Sequence, residues 1–174
     1  MAGTNNASDG IERVTHNSNT GHEFCFVFSV QYLSFKKECT FKEEFITECE
    51  ALPTSWLCEM FFQKVLDDGR ACILFTLKRK DYDRNPVKVV VSLRLKDSTD
   101  KYLFNSPKIQ REKIFACEVI KEHLVENLPF PEMRSYYNLR LKVGIFIEII
   151  SCHSTTGKIN EETYRQQKFL YDRL

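Results

Sequence analysis

The chain has 174 residues, 43% of them hydrophobic and 13% aromatic, with 25 basic and 24 acidic side chains and a net charge of +1. That length supports one domain with a substantial core plus tails, and so even a charge balance gives no bulk attraction to a polyanion, which argues against nucleic acid as the main partner. No apolar run approaches the roughly 20 residues that span a bilayer, and residues 1–6 lack the basic and apolar regions of a secretion signal, so an intracellular setting, nucleus or cytoplasm, is expected.

Residues 1–23 are rich in Asn, Thr, Ser and Gly and read as a flexible, disordered leader. Phe24, Phe26, Phe28, Val30 and Tyr32 then alternate with smaller or polar residues, the period of a half-buried strand. Residues 40–47 offer a weaker strand around Phe41, Phe45 and Ile46, and residues 51–55 a turn. From Trp56 to Phe62 two readings compete. Leu57, Met60, Phe61 and Val65 suit a helix, whereas Trp56, Cys58, Met60 and Phe62 suit a strand, and the strands on either side favour the second.

The core of the pattern runs from Ala71 to Leu95. Ala71, Ile73, Phe75 and Leu77 share one face, and Val87, Val89, Val91, Leu93 and Leu95 another, across a polar insert from Lys80 to Pro86. The insert is too polar to bury and ends in a residue that cannot donate to a ladder, so the two segments read as an antiparallel hairpin. Tyr102, Leu103 and Phe104 begin an edge segment. Residues 109–128 hold the one internal helix expected, with Val119, Ile120, Leu124 and Val125 at helical spacing. Leu139, Leu141, Val143, Ile145, Ile147 and Ile149 alternate with Arg140, Lys142, Gly144, Phe146 and Glu148 in a closing strand. Beyond a polar break, residues 160–174 read as an amphipathic helix that Asn160 can cap, with Glu161 and Glu162 at its positive end. The sum is an all-β antiparallel β-sandwich of about seven or eight strands over residues 24–152, with one short internal helix and a C-terminal helical tail in 153–174.

Chemistry-bearing residues are sparse. The seven cysteines (Cys25, Cys39, Cys49, Cys58, Cys72, Cys117 and Cys152) form an odd set with no Cys-x-x-Cys pair, which points to reduced structural thiols rather than a disulfide framework or a zinc knuckle. A Cys/His nucleophile would use Cys117 with His123 or Cys152 with His153. The first spacing fits a helix badly, and the second places neighbours on opposite sides of a strand. Metal ligands would come from His16, His22 and Cys25, or from Cys152 and His153, and neither set has the paired spacing of zinc sites. Asp81, Asp83, Asp97 and Asp100 lie in turns and could serve calcium as in lipid-binding sandwiches, though solvated loop ends account for them as well. With no glycine-rich phosphate loop, no catalysis, cofactor or metal is expected, and an extended peptide docked on a sheet is the remaining use.

In its order of pieces the chain resembles the MATH (meprin and TRAF homology) domain, nearest to the speckle-type POZ proteins. The aromatic strand with Ser34-Phe35 looks like the family's opening element, and Ser55-Trp56-Leu57-Cys58-Glu59-Met60 like its Lys-Trp-x-Leu-Arg strand. Residues 73–77 and 87–95 match its two central strands, residues 119–125 its short helix, and residues 141–149 its closing strand without the cysteine. The resemblance covers residues 24–151. It implies a non-catalytic receptor for an extended peptide segment of a partner, joined to a cullin-based ubiquitin ligase through a following BTB/POZ domain that this chain does not contain. By position it implies a groove at Ala71, Val89, Tyr102, Ile114 and Ala116, where the family has Tyr, Phe, Tyr, Trp and Phe; Tyr102 alone keeps its type. The tail ending at Leu174 resembles the linker helix before such a BTB domain. A stand-alone or self-associating adaptor without a ligase link is the alternative, and a calcium- and lipid-binding sandwich a further one.

Overall fold

The computed structural model describes residues 10–31, 39–65, 71–126 and 140–153, and among these every regular element is a strand. They are β1 (Glu12–Asn17), β2 (Gly21–Gln31), β3 (Cys39–Ile46), β4 (Ser55–Val65), β5 (Ala71–Arg79), β6 (Val87–Lys96), β7 (Tyr102–Asn105), β8 (Ile109–Ile114), β9 (Val119–Glu126) and β10 (Arg140–Ile150). Two antiparallel sheets result. One runs β1-β2-β10-β6, with β7 and β8 sharing the outer edge of β6, and the other runs β3-β4-β5-β9. Among the described residues there is no helix long and apolar enough to cross a membrane. The tail helix expected over 160–174 lies outside the described residues, as do Tyr32 and Ser34-Phe35.

Period two decides what is buried. In β2 the residues Phe24, Phe26, Phe28 and Val30 face inward, and in β10 Leu141, Val143, Ile145, Ile147 and Ile149 do the same. Rings join the sheets: Phe24 meets Phe45 at 4.4 Å and Phe28 stacks on Phe41 at 4.6 Å. Aromatic pairs at these separations add to the area they bury. Trp56, Cys58 and Met60 are fully buried on β4, so the ambiguous segment is a strand.

Three sequence expectations are corrected. Residues 71–79 and 87–96 do not form a hairpin: β5 pairs with β4 and β9, and β6 pairs with β10, β7 and β8. The polar insert carries the chain from one sheet to the other, and Arg79 holds that corner. Its side chain is fully buried; its Nε donates to both Asp81 carboxylate oxygens at 3.0 and 2.9 Å, and its Nη1 to the carbonyls of Asn85 and Ile114 at 2.7 and 2.8 Å. Nη2 lies 2.8 Å from Asp81 Oδ1, a charge contact that falls off the line of a hydrogen bond.

The internal helix is also replaced, by β8, a turn and β9. Ile120 and Leu124 stand four apart, which fits two strand periods as well as one helical turn, and the strand wins because Val119–Glu126 bonds along β5 from Lys78 to Ala71. Order, finally, begins before Phe24. β1 pairs with β2 from Glu12 opposite Val27 to Asn17 opposite His22.

Gly21 stands opposite Ile150, at the end of the β2–β10 pair. A Cβ there would overlap the carbonyl oxygen of Ile149, so Gly21→Ala must push the strands apart. We expect it to lower stability by at least the ~1–3 kcal/mol that overpacking costs, read by calorimetric unfolding.

Candidate functional site

The five residues placed in a groove by resemblance do not share a surface. Ala71 opens β5 in the four-stranded sheet, opposite Glu126. Val89 is 0% and Ile114 5% exposed, both in the core between the sheets. Ala116 lies in the turn after β8, half-buried, and Tyr102 is 55% exposed on β7. Tyr102 pairs with Lys96 at one end of β6, whereas Ile114 pairs with Val87 at the other. Alternation explains Val89: it belongs to the inward row of β6 with Val91, Leu93 and Leu95.

Tyr102 does border a different surface, the outward face of the six-stranded sheet. Across that face, Phe146 of β10 stands between Cys25 of β2 and Ser92 of β6, and Gly144 between Val27 and Arg94. Cys25, Val27, Ser92, Gly144 and Phe146 form an uncharged stripe over three strands, with Arg94 at its border. The Phe146 ring leans over Gly144, which has no side chain to obstruct it. The Arg94 guanidinium lies 4.4 Å from the Phe146 centroid and Lys96 Nζ 4.6 Å from that of Tyr102. On the other side of the stripe Glu148 stands opposite Glu23. Burial and then the Glu23 charge push the Glu148 carboxyl above its ordinary range. The clue in the sequence is Phe146 itself, an aromatic in the row opposite the aliphatic one.

At one end of the sandwich, residues from three distant segments converge. His22 stands at the start of β2, Cys49 in the 47–54 connection, and Cys152 and His153 just past β10. Their two imidazole nitrogens and two thiol sulfurs all lie within 4.8 Å of one another. His22, Cys49 and Cys152 are buried, and His153 is exposed. Backbone geometry brings them there. Ser151 donates its N–H to Thr20 O at 3.0 Å and adopts a φ of 68°, a left-handed conformation that turns the chain out of strand alternation. Cys152 and His153 therefore meet, which strand geometry forbade. Thr47 and Thr54 pin the connection that holds Cys49, with N to O at 2.9 Å and hydroxyl to hydroxyl at 3.0 Å.

The nitrogen facing the cluster is the one left without a proton. Asn17 Oδ1 accepts from Nδ1 of His22 at 2.7 Å, and since an amide oxygen only accepts, Nε2 keeps its lone pair. That Nε2 lies 3.1 Å from Nε2 of His153. Burial and then the neighbouring His153 lower the His22 pKa, so the ring is neutral near pH 7. Burial and then Cys49 push the Cys152 thiol up to about 12. A thiol so placed is protonated at neutral pH and makes a poor nucleophile, so proximity of thiol and imidazole does not make a catalytic pair here. Two thiols and two imidazoles do match the ligand preferences of borderline-soft cations.

Other sequence candidates are dispersed. His16 lies on exposed β1 and Cys25 on the outward face of β2. Cys117 sits in the β8–β9 turn, its thiol 3.9 Å from Asp81 O. Asp81 and Asp83 precede β6, and Asp97 and Asp100 follow it, so the ten residues of that strand separate them. Asp81 is committed to Arg79, and Asp97 caps its own turn by accepting from the Thr99 and Lys101 N–H groups at 2.8 and 3.0 Å. The His/Cys set is the group of potential ligands that converges among the described residues. Spacing gives no sign of it, because its members come from three separate places in the chain.

No family model matches the chain, and no curated protein sequence does. Among solved structures, the enzymatically active domain of tailspike protein 4 of bacteriophage CBA120 is similar at 14% identity and a TM-score of 0.21, over 72% of this chain and 18% of that one. So low a score transfers neither fold nor activity.

Proposed function

We propose that this chain is a non-catalytic protein-interaction module of the MATH type, which receives an extended peptide segment of a partner on the outward face of its six-stranded sheet. The observation that carries this reading is the uncharged stripe of Cys25, Val27, Ser92, Gly144 and Phe146, bordered by Arg94, Lys96 and Tyr102 on one side and Glu23 and Glu148 on the other. An apolar strip with charged borders offers an anchor to alternate side chains of an extended segment and polar partners to the rest. The chain order of the resembling pieces supports it: Trp56 lies in β4, the two central segments are β5 and β6, and the closing segment is β10. The piece matched to the family's helix is a strand and gives no support. In a longer protein, an attached BTB/POZ domain would couple the module to a cullin-based ubiquitin ligase in the nucleus or cytoplasm.

Peptides selected from a displayed library of extended segments test this. Phe146→Ala and Arg94→Glu should each weaken the selected peptides at least tenfold, about 1.4 kcal/mol, while Tyr82→Ala, at an exposed loop, leaves them unchanged. Equal binding by all variants contradicts the proposal.

A stand-alone, self-associating adaptor is the second reading, and β1 favours it. All six of its residues are exposed, Val14 among them, and among the described residues it bonds to β2 alone, leaving an unpaired edge of the kind that templates pairing with another chain. Light scattering should then show a dimer that Val14→Pro dissociates; a monomer at all concentrations removes this reading.

A further inference from the structure

We propose that His22, Cys49, Cys152 and His153 bind one Zn²⁺ tetrahedrally and thereby fasten the 47–54 connection of the four-stranded sheet to the paired ends of β2 and β10. Four donors of the right chemistry lie within 4.8 Å of one another. Zinc bonds of about 2.0–2.1 Å to nitrogen and 2.3 Å to sulfur place tetrahedral donors roughly 3.3–3.8 Å apart, and the two Nε2 atoms are already 3.1 Å apart. Small shifts of side chains alone would complete the tetrahedron.

Two further observations point to a ligand at this place. The first is the Asn17–His22 contact, 2.7 Å from Oδ1 to Nδ1. It fixes the ring so that Nε2 offers its lone pair inward, the outer contact that metal-bound histidines characteristically have. The second is the left-handed backbone at Ser151, φ 68°, a conformation unfavourable for a non-glycine residue. It is what brings Cys152 and His153 to the same point.

Charge balance favours the ion. Two thiolates and Zn²⁺ sum to zero, so the site adds no net charge to a place where three of the four ligands are buried. Binding exchanges the weak contacts of Cys49 Sγ with Cys152 O at 3.4 Å and Cys152 Sγ with Ile149 O at 3.7 Å for two sulfur–zinc bonds, and both thiol protons leave to solvent. With two sulfurs and two imidazoles, zinc is the cation that such a set selects, and calcium and magnesium are disfavoured. A closed set of four protein ligands is structural rather than catalytic.

The reduced full-length chain, stripped with a chelator, is titrated with Zn²⁺ against a chromophoric competitor and separately with Co²⁺. One equivalent of each should bind, with the intense visible bands of tetrahedral cobalt and a thiolate-to-cobalt charge-transfer band, and Zn²⁺ should raise the melting temperature. Asn17→Ala should weaken Zn²⁺ about 10–100-fold while cobalt stays tetrahedral. Cys49→Ser and Cys152→Ser should abolish one-equivalent binding. If they fail to fold, His153→Ala decides, since that side chain is exposed and its loss should still weaken Zn²⁺ and change the cobalt spectrum. The proposal is overturned by the absence of saturable one-equivalent binding, by weak octahedral cobalt bands, or by wild-type affinity in His153→Ala.

Discussion

Replacing Asp81 by alanine should destabilise the protein by about 3–5 kcal/mol, the cost of removing one partner of a buried ion pair. Arg79 is fully buried and the Asp81 side chain only 15% exposed. Without the carboxylate, a guanidinium stays in the interior with two carbonyls for company and no counter-charge. The converse change should cost less. In Arg79→Leu the carboxylate remains partly solvated and still accepts from the N–H groups of Ser55 and Asp83 at 3.1 Å each, while the carbonyls of Asn85 and Ile114 lose a donor, for about 1–3 kcal/mol. Urea unfolding followed by the fluorescence of the single tryptophan measures both. Equal losses in the two variants would show that Asp81 does not neutralise Arg79.

Acid should reveal the same pair. Burial by itself would raise the Asp81 carboxyl, but the Arg79 hydrogen bonds, the Ser55 N–H and the Arg79 charge outweigh it and hold the group below its ordinary value of 3.8. A depressed folded-state pKa gives stability that is complete above the unfolded-state value and lost as pH falls through the folded one. Wild-type stability should therefore fall below about pH 4, and Asp81→Asn should flatten that part of the profile.

Trp56→Ala should cost a similar ~3–5 kcal/mol through the cavity it leaves. Trp56 is completely buried, and its Nε1 donates to Thr54 Oγ1 at 2.7 Å, which in turn bonds to Thr47 Oγ1 at 3.0 Å. Trp56→Phe keeps most of the ring packing and loses that hydrogen bond, for about 1–2 kcal/mol. Thermal unfolding by circular dichroism separates the two contributions. A loss in the phenylalanine variant as large as in alanine would assign the effect to the threonine network instead.

Strand content was legible wherever one face was buried. The rows Phe24 to Val30, Val87 to Leu95 and Leu141 to Ile149 announce their inward side by alternation alone. What alternation cannot state is which sheet a strand joins. β5 and β6 each fit a hairpin, and the clue that they part company is Arg79, a charge continuing the buried row of Ile73, Phe75 and Leu77 with an aspartate two residues on. β1 was invisible because all six of its residues are exposed and leave no apolar pattern. β9 reads equally as helix, because a spacing of four satisfies both periods. For the His/Cys cluster no local pattern exists: the His22–His153 contact closes over 131 residues and the Cys49–Cys152 contact over 103. Such a site becomes visible only once the sheets are assembled.

The crossover between the sheets positions the Arg79 corner and places β6 beside β10, where the outward stripe forms. Cross-strand backbone NOEs test it most directly. Contacts of Phe75 with Met60 and Glu122, and of Leu93 with Ile145, are expected, and none between residues 73–77 and 87–95. A ladder of contacts joining those two segments across the Lys80–Pro86 insert would contradict it.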